Sequence, residues 1–411
     1  VTAATAAGSP GTDLAAGERP RRGFLALGAV ELNGRDNGLN LWRLVLATAV
    51  LVAHGWYLAG IGIGPQVNGE NMGGWAVIGF FAISGYLITA SRLSNPLGAF
   101  LVHRVARIFP AFLVCLVVTA VVFGPVGFYA AHGTLDAYLT TGTTPGFYVF
   151  GNAGLRIVAW DVAGTPTGVP YPGAWSGSLW TLYYEFQCYL IVAAVLCLGW
   201  ARRSAWVIGL MLALSIAVYA NMDTLLPYVN GSNEFKYLFK LLPFFLAGAL
   251  LRMVRHRLVL SWPLALLATA VATPLVLLID VWGPQLASPF IAYVVLWLGA
   301  VTPSPALVRK HDISYGVYIY AWPVQQLLAL AGLHTLPLPV YDLLALLGTI
   351  PLAVASWLLV ERPVLRAARR STETAGPRAV PRPHQPEDSP RPLEAARPAA
   401  SEAPSVAAPT R

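Results

Sequence analysis

The sequence predicts an all-α, polytopic membrane protein with about ten transmembrane helices and with its N- and C-termini cytoplasmic. Three observations predict it. Of 411 residues, 56% are hydrophobic and only 11% are charged, against about 25% charged in average proteins. Ten apolar segments of roughly bilayer length can be drawn, at about 39–62, 73–91, 101–124, 176–199, 204–222, 236–254, 260–279, 284–301, 313–332 and 340–360. Lys and Arg collect on alternate connections between them, as they do on cytoplasmic loops. The mean hydropathy of +0.60 excludes an ordinary soluble enzyme.

The net charge of +8 would suggest nucleic acid in a soluble chain. Here basic inner loops account for it, and no nucleic-acid partner is expected. The expected location is the cytoplasmic membrane, multi-pass, with lipid as a partner. Thirteen Trp and seventeen Tyr suit the aromatic belts of the two interfaces. Cys115, Cys188 and Cys197 lie in apolar runs without metal-ligand spacing, so they read as small buried hydrophobes and no metal site is expected.

Taken in order, residues 1–38 read as a disordered cytoplasmic leader. Arg21-Arg22-Gly23-Phe24-Leu25 resembles a twin-arginine export signal, but the apolar run after it is short and ends at Glu31. Residues 39–365 form one membrane domain, and 366–411 read as a disordered cytoplasmic tail rich in Pro, Ala and Arg. The basic connections hold Arg92, Arg104 and Arg107, then Arg202 and Arg203, then Arg252, Arg255 and Arg257, then Arg309 and Lys310, then Arg362, Arg366, Arg369 and Arg370. The opposite connections hold almost none. One of these, 125–175, is long and rich in Gly, Pro, Thr and aromatics, and suits a lid over an outward-facing cavity.

The first segment carries two side chains that a bilayer penalises, Arg43 and His54. Eleven steps of about 100° return to within about 20° of the start, so both share one helical face, about 16 Å apart. His54 lies about 12 Å from the outer end. A neutral imidazole there suits a general base for a hydroxyl; position alone does not separate that role from a histidine bonded to a neighbouring helix. Glu185 in the fourth segment lies at a similar depth, about 13 Å. A carboxylate beside an imidazole is the orienting arrangement of many acid–base sites. The competing account is a structural pair, or an ion pair with Lys240.

Arg104 and Arg107, three residues apart, share a face at the cytoplasmic entry of the third segment, near the level of Arg43. Three guanidiniums there could hold phosphate, although on charge alone snorkelling to lipid phosphates is the simpler account. Gly79, Ser84 and Gly85 permit close helix packing, and no elbow motif marks Ser84 as a nucleophile. Ser84, Trp180, Tyr184, Lys240, Tyr315, Tyr318 and Trp322 are the weaker candidates for a sugar or acyl pocket, with plain packing the alternative. Asp342 reads as interfacial.

These residues together resemble the acyltransferase-3 family of integral membrane O-acyltransferases. Arg43 and His54 match its Arg-x10-His pattern. Gly79 to Ile88 (GFFAISGYLI) looks like its Phe-Phe-x-x-Ser-Gly-Phe-Leu-Ile stretch, and Arg104-Val105-Ala106-Arg107 matches its Arg-x-x-Arg motif. Gly177 to Glu185 (GSLWTLYYE) is similar to its Ser-Leu-Trp-x-Leu-x-x-Glu signature. Ile313 to Pro323 (ISYGVYIYAWP) looks like its late Ser-Tyr-x-x-Tyr-x-x-His-x-Pro segment, and Glu361-Arg362-Pro363 matches its closing Glu-Arg-Pro. The matches run in family order over about residues 36–365.

The resemblance implies an enzyme that takes an acyl group, acetyl first, from acyl-CoA and passes it to a hydroxyl of a cell-envelope carbohydrate or another small extracytoplasmic acceptor. Acyl-CoA is then a donor substrate, and no permanently bound cofactor is implied. It also implies that Arg43, Arg104 and Arg107 hold the donor and that His54 is catalytic, with Glu185 its partner; whether His54 acts as a base or carries the acyl group stays open. The chain departs from the family at Ala321, where many members have His. Some members add a soluble hydrolase-like domain; nothing in this sequence could form one, so a separate extracytoplasmic partner, or action alone, is expected. A transporter or flippase for a lipid-linked sugar is the alternative from another class, although no inverted repeat is evident. A non-catalytic scaffold is the third.

Overall fold

A computed structural model describes residues 24–32 and 37–374. The expectations for residues 1–23, 33–36 and 375–411, the Arg21-Arg22 pair among them, lie outside the described residues.

Among the described residues, ten helices carry the ten apolar segments: α1 (Leu39–Leu58), α2 (Met72–Ser94), α3 (Leu97–His132), α4 (Trp180–Val195), α5 (Ala205–Ala220), α6 (Asn233–Met253), α7 (Trp262–Leu278), α8 (Ser288–Val301), α9 (Ser314–Leu330) and α10 (Leu338–Glu373). Four of them, α1, α2, α3 and α10, are long and apolar enough to cross a membrane. A fifth qualifies if α5 is joined to the helix Met222–Val229, from which it is bent by 76°. The protein is therefore a mostly helical membrane protein. α7 and α8 are apolar but shorter, 17 and 14 residues.

Two helices outrun their hydropathy. α3 continues past the expected end through a π-turn at Thr119–Phe123 and stops at His132, where Gly133 takes a left-handed φ of 73°. α10 passes through a π-turn at Trp357–Glu361 and includes residues 366–373, which composition had placed in the tail. Ala and Arg are good helix formers, so the helix persists where the apolar run ends. Residues 24–32, expected in the loose leader, instead lie against the start of α7. Val30 donates its N–H to the carbonyl of Leu260, and Phe24 meets Trp262 edge-on.

α4 is shorter than its segment because residues 176–179 form a turn and the C-terminal end is capped early. Buried Arg92 of α2 donates to the carbonyls of Ala193 and Leu196 there, satisfying acceptors that a helix end leaves free. Cys115 and Cys188 are buried and unpaired, as expected; Cys197, at this end of α4, is exposed.

α2 and α6 cross at small residues. A Cβ on Gly85 would sit 1.9 Å from the carbonyl oxygen of Phe245, and one on Gly248 would sit 2.0 Å from that of Ala82. The two backbones touch, which only glycine allows at these points. Gly248→Val is expected to force the helices apart at a cost of about 1–3 kcal/mol or more. A lowered thermal unfolding midpoint in detergent would show this; an unchanged midpoint would contradict it.

Two connections are built rather than loose. Between α1 and α2 a hairpin pairs β1 (Gln66–Val67) with β2 (Glu70–Asn71). Its turn residues, Asn68 and Gly69, take φ of 49° and 72°, the left-handed pair that such tight turns demand. Asn68 donates to the carbonyls of Val276 and Ile279, and Glu70 pairs with Lys240 of α6. The expected outer lid, after α3, folds around fully buried Trp175 and Tyr148. The Tyr148 hydroxyl donates to Ser176, and Asn152 bridges the backbone of Val158 and Ala159.

Candidate active site

The site is built on three levels along α9, which supplies Tyr315, Tyr318 and Trp322 on successive turns. At the first level Arg43 of α1 and Arg107 of α3 converge on one carboxylate. Arg43 Nη1 lies 2.5 Å and Arg107 Nη2 2.7 Å from Asp312 Oδ2, just ahead of α9. Arg107 Nη1 also reaches Glu361 of the α10 π-turn at 3.0 Å. Ser314 donates to Asp312 Oδ1 and Ser356 to Glu361 Oε1. Burial alone would raise the Asp312 carboxyl, but the guanidiniums of Arg43 and Arg107 outweigh it, helped by Ser314, and hold it down at about 2.

Arg104 is different. It has no carboxylate partner among the described residues; its guanidinium stands over the Phe100 ring at 5.8 Å, and its Nε is buried without an acceptor. It lies within electrostatic reach of Tyr189, Arg107, Glu185 and Arg43. The three arginines expected together do gather at one end, but two are committed to acids and Arg104 has none among the described residues.

At the second level Glu185 of α4 accepts hydrogen bonds from Ser84 Oγ of α2 (2.7 Å) and from Tyr189, one turn along its own helix (2.6 Å). Ser84 thus holds the carboxylate. A small cavity of about 40 Å³ opens here, lined by Arg43, Val77, Phe80, Phe81, Thr181, Leu182, Glu185, Ser314, Tyr315 and Tyr318. Tyr318 stands between this cavity and the Trp322 end of α9, donating to the carbonyl of Ser178 and bonding Thr181 at 2.5 Å.

At the third level a larger pocket of about 900 Å³ lies under the lid. Trp180, Tyr183, Tyr184 and Tyr237 line it with Trp160, Tyr171 and Trp322, and Arg156 and Glu234 stand beside them as an ion pair of 2.5 Å. Trp322 donates its indole N–H to the carbonyl of Ala174 and packs on Gly177, where a Cβ would fall 2.5 Å from the ring. His54 meets Trp322 edge-on, ring centroids 4.7 Å apart, and its Nδ1 is buried without a partner.

Glu185 and His54 are therefore not hydrogen-bonded to each other. Similar depth had suggested a dyad, but Glu185 turns to α2 while His54 turns to Trp322 of α9. Lys240 is not Glu185's partner either; it pairs with Glu70 and stands over Tyr237 at 6.0 Å. Asp342, expected at the interface, is buried, and its unpartnered Oδ1 lies where a Cβ on Gly55 would come within 2.0 Å. Sequence reasoning missed Asp312 and Tyr189. Tyr189 stands four residues after Glu185, a spacing that puts both on one helical face, and Asp312 was the acid facing a surplus of arginines. Among the described residues no three of His, Cys, Asp and Glu gather as metal ligands.

The model of a known family, the acyltransferase domain, matches residues 36–358, which include every residue named in the three levels except Glu361. The chain belongs to the acyltransferase-3 family. It is thus an acyltransferase for groups other than aminoacyl groups. An O-acetyl transferase of Shigella phage Sf6 is 29% identical over 339 residues, covering 80% of this chain and 96% of the phage protein. Nodulation protein 10 of Rhizobium leguminosarum bv. viciae is 29% identical over 367 residues, covering 81% of this chain and 94% of that protein. No solved structure matches the acyltransferase significantly.

Proposed function

We propose that this acyltransferase crosses the cytoplasmic membrane ten times, with both ends inside, and moves an acyl group from acyl-CoA to a hydroxyl of an envelope carbohydrate or similar extracytoplasmic acceptor. The observation that carries this reading is the stacking of three chemically distinct levels on α9. An unpaired guanidinium and two paired ones stand at one end, a small cavity with a carboxylate in the middle, and an aromatic pocket against an imidazole at the other. Arginine clusters suit the phosphates of coenzyme A. Flat aromatic walls with a few polar groups suit a sugar.

In this reading Arg104 binds donor phosphate directly, while Arg43 and Arg107, fixed by Asp312 and Glu361, shape the entrance. The thioester reaches the small cavity, where Glu185 handles charge and protons at the donor end instead of orienting His54. Trp180, Tyr184 and Trp322 face the acceptor. Unprotonated His54 takes the proton of the acceptor hydroxyl as its oxygen attacks the thioester carbonyl. The carbon–sulfur bond then breaks, and the proton passes to the departing thiolate. For the two ends to meet, the layer made by Tyr318, Thr181 and Trp322 must part.

The test uses the full chain in lipid nanodiscs with labelled acetyl-CoA and envelope glycans. Label released from the glycan by mild alkali is the expected product; no transfer with any acyl-CoA would sink the reading. Arg104→Ala should raise the donor KM about tenfold or more and leave kcat nearly unchanged, since a charge-assisted hydrogen bond is worth about 1.5–3 kcal/mol. An unaltered KM would remove Arg104 from the donor site.

A further inference from the structure

The middle cavity is small, and four of its walls have no part in the chemistry above. Val77, Phe80 and Phe81 come from α2 and Leu182 from α4. They face Glu185, Tyr315 and Tyr318 across about 40 Å³, a few times the roughly 10–15 Å³ of such space that one water needs. The walls cannot easily retreat. Phe81 is 2% exposed, and Phe80 meets Tyr318 edge-on with centroids 5.9 Å apart. α2 itself is pinned, by Ser84 to Glu185 on one side and by the contact of Gly85 with Phe245 on the other. A rigid apolar end of that size beside a carboxylate suits a group of only a few heavy atoms, such as acetyl.

We infer that Val77, Phe80, Phe81 and Leu182 form an acyl-length filter that admits acetyl and excludes longer acyl groups. The inference rests on the donor reading given above and names the residues that select the donor. The reaction it governs is unchanged: the acceptor oxygen bonds to the thioester carbon, the carbon–sulfur bond breaks, and coenzyme A leaves with the acceptor's proton. In a fixed apolar site one misplaced methylene changes kcat/KM by roughly 10–200-fold, so two should exclude butyryl almost completely.

The experiment compares acetyl-CoA with butyryl-CoA as donors to one acceptor, using the full chain in nanodiscs. The wild type should favour acetyl-CoA by more than about tenfold in kcat/KM. Phe80→Ala and Phe81→Ala should reduce that ratio about tenfold or reverse it, while acetyl transfer persists. Phe80→Leu, Phe81→Leu and Leu182→Ala keep the core apolar and should move the ratio the same way by a smaller factor. A wild type that uses both donors equally, or a ratio that none of these variants moves, would overturn the filter and leave the donor reading standing. No transfer from either donor would overturn both.

Discussion

Replacing His54 by Ala is expected to lower kcat for acyl transfer by roughly a hundred- to ten-thousandfold, the usual worth of a positioned acid–base group. The reason is local. His54 packs against Trp322, which lines the aromatic pocket, and its Nδ1 is committed to no neighbour. His54→Gln keeps a polar side chain of similar reach and should be nearly as inactive, because an amide cannot accept the hydroxyl's proton at neutral pH. Donor affinity should stay near the wild-type value in both variants, since the arginine end is a separate level of the site. Titration calorimetry with coenzyme A beside steady-state kinetics separates the two effects. Turnover close to the wild type in either variant would remove His54 from the chemistry.

The second large effect is expected at Asp312. This carboxylate neutralises two guanidiniums from two helices, with both N···O distances at or below 2.7 Å and its side chain 13% exposed. Asp312→Asn leaves Arg43 without its acid and Arg107 with Glu361 alone. Breaking a buried pair by removing one partner costs about 3–5 kcal/mol, so the unfolding midpoint should fall clearly at neutral pH. The pH dependence has a definite sign. Asp312 is held at about 2, below its unfolded value of about 3.9. Its contribution is therefore complete above about pH 4 and is lost as pH falls through about 2. The gap between wild type and Asp312→Asn should be full at pH 6 and shrink toward pH 2. A gap that is absent at pH 6, or that widens on acidification, would contradict this account.

The segments and the arginine cluster were legible because they follow from quantities that add along the chain. Hydropathy sums over about 20 residues, and Lys and Arg count by loop. Depth is legible too, at about 1.5 Å per residue. Azimuth between helices is not, which is why His54 and Glu185 share a depth without sharing a bond. The same gap hid Lys240's partner, which sits in a short hairpin that no apolar periodicity marks. Asp312 escaped because an acid just outside an apolar segment looks interfacial; its meaning depends on α1 and α3 arriving from far away in sequence. Asp342 shows the converse, since its place beside Gly55 buries a carboxylate that hydropathy had left at the surface. Helix ends were misjudged where good helix formers are polar, as beyond residue 365.

The central claim is that donor and acceptor enter from opposite ends of α9. Oriented proteoliposomes test it most directly. Labelled acetyl-CoA is supplied to the face that bears Arg104, with a membrane-impermeant sugar acceptor present only at the face of the aromatic pocket. The account predicts labelled acceptor in this arrangement and none when donor and acceptor are exchanged. Equal labelling in both arrangements, or labelling only when both substrates share one face, would contradict it.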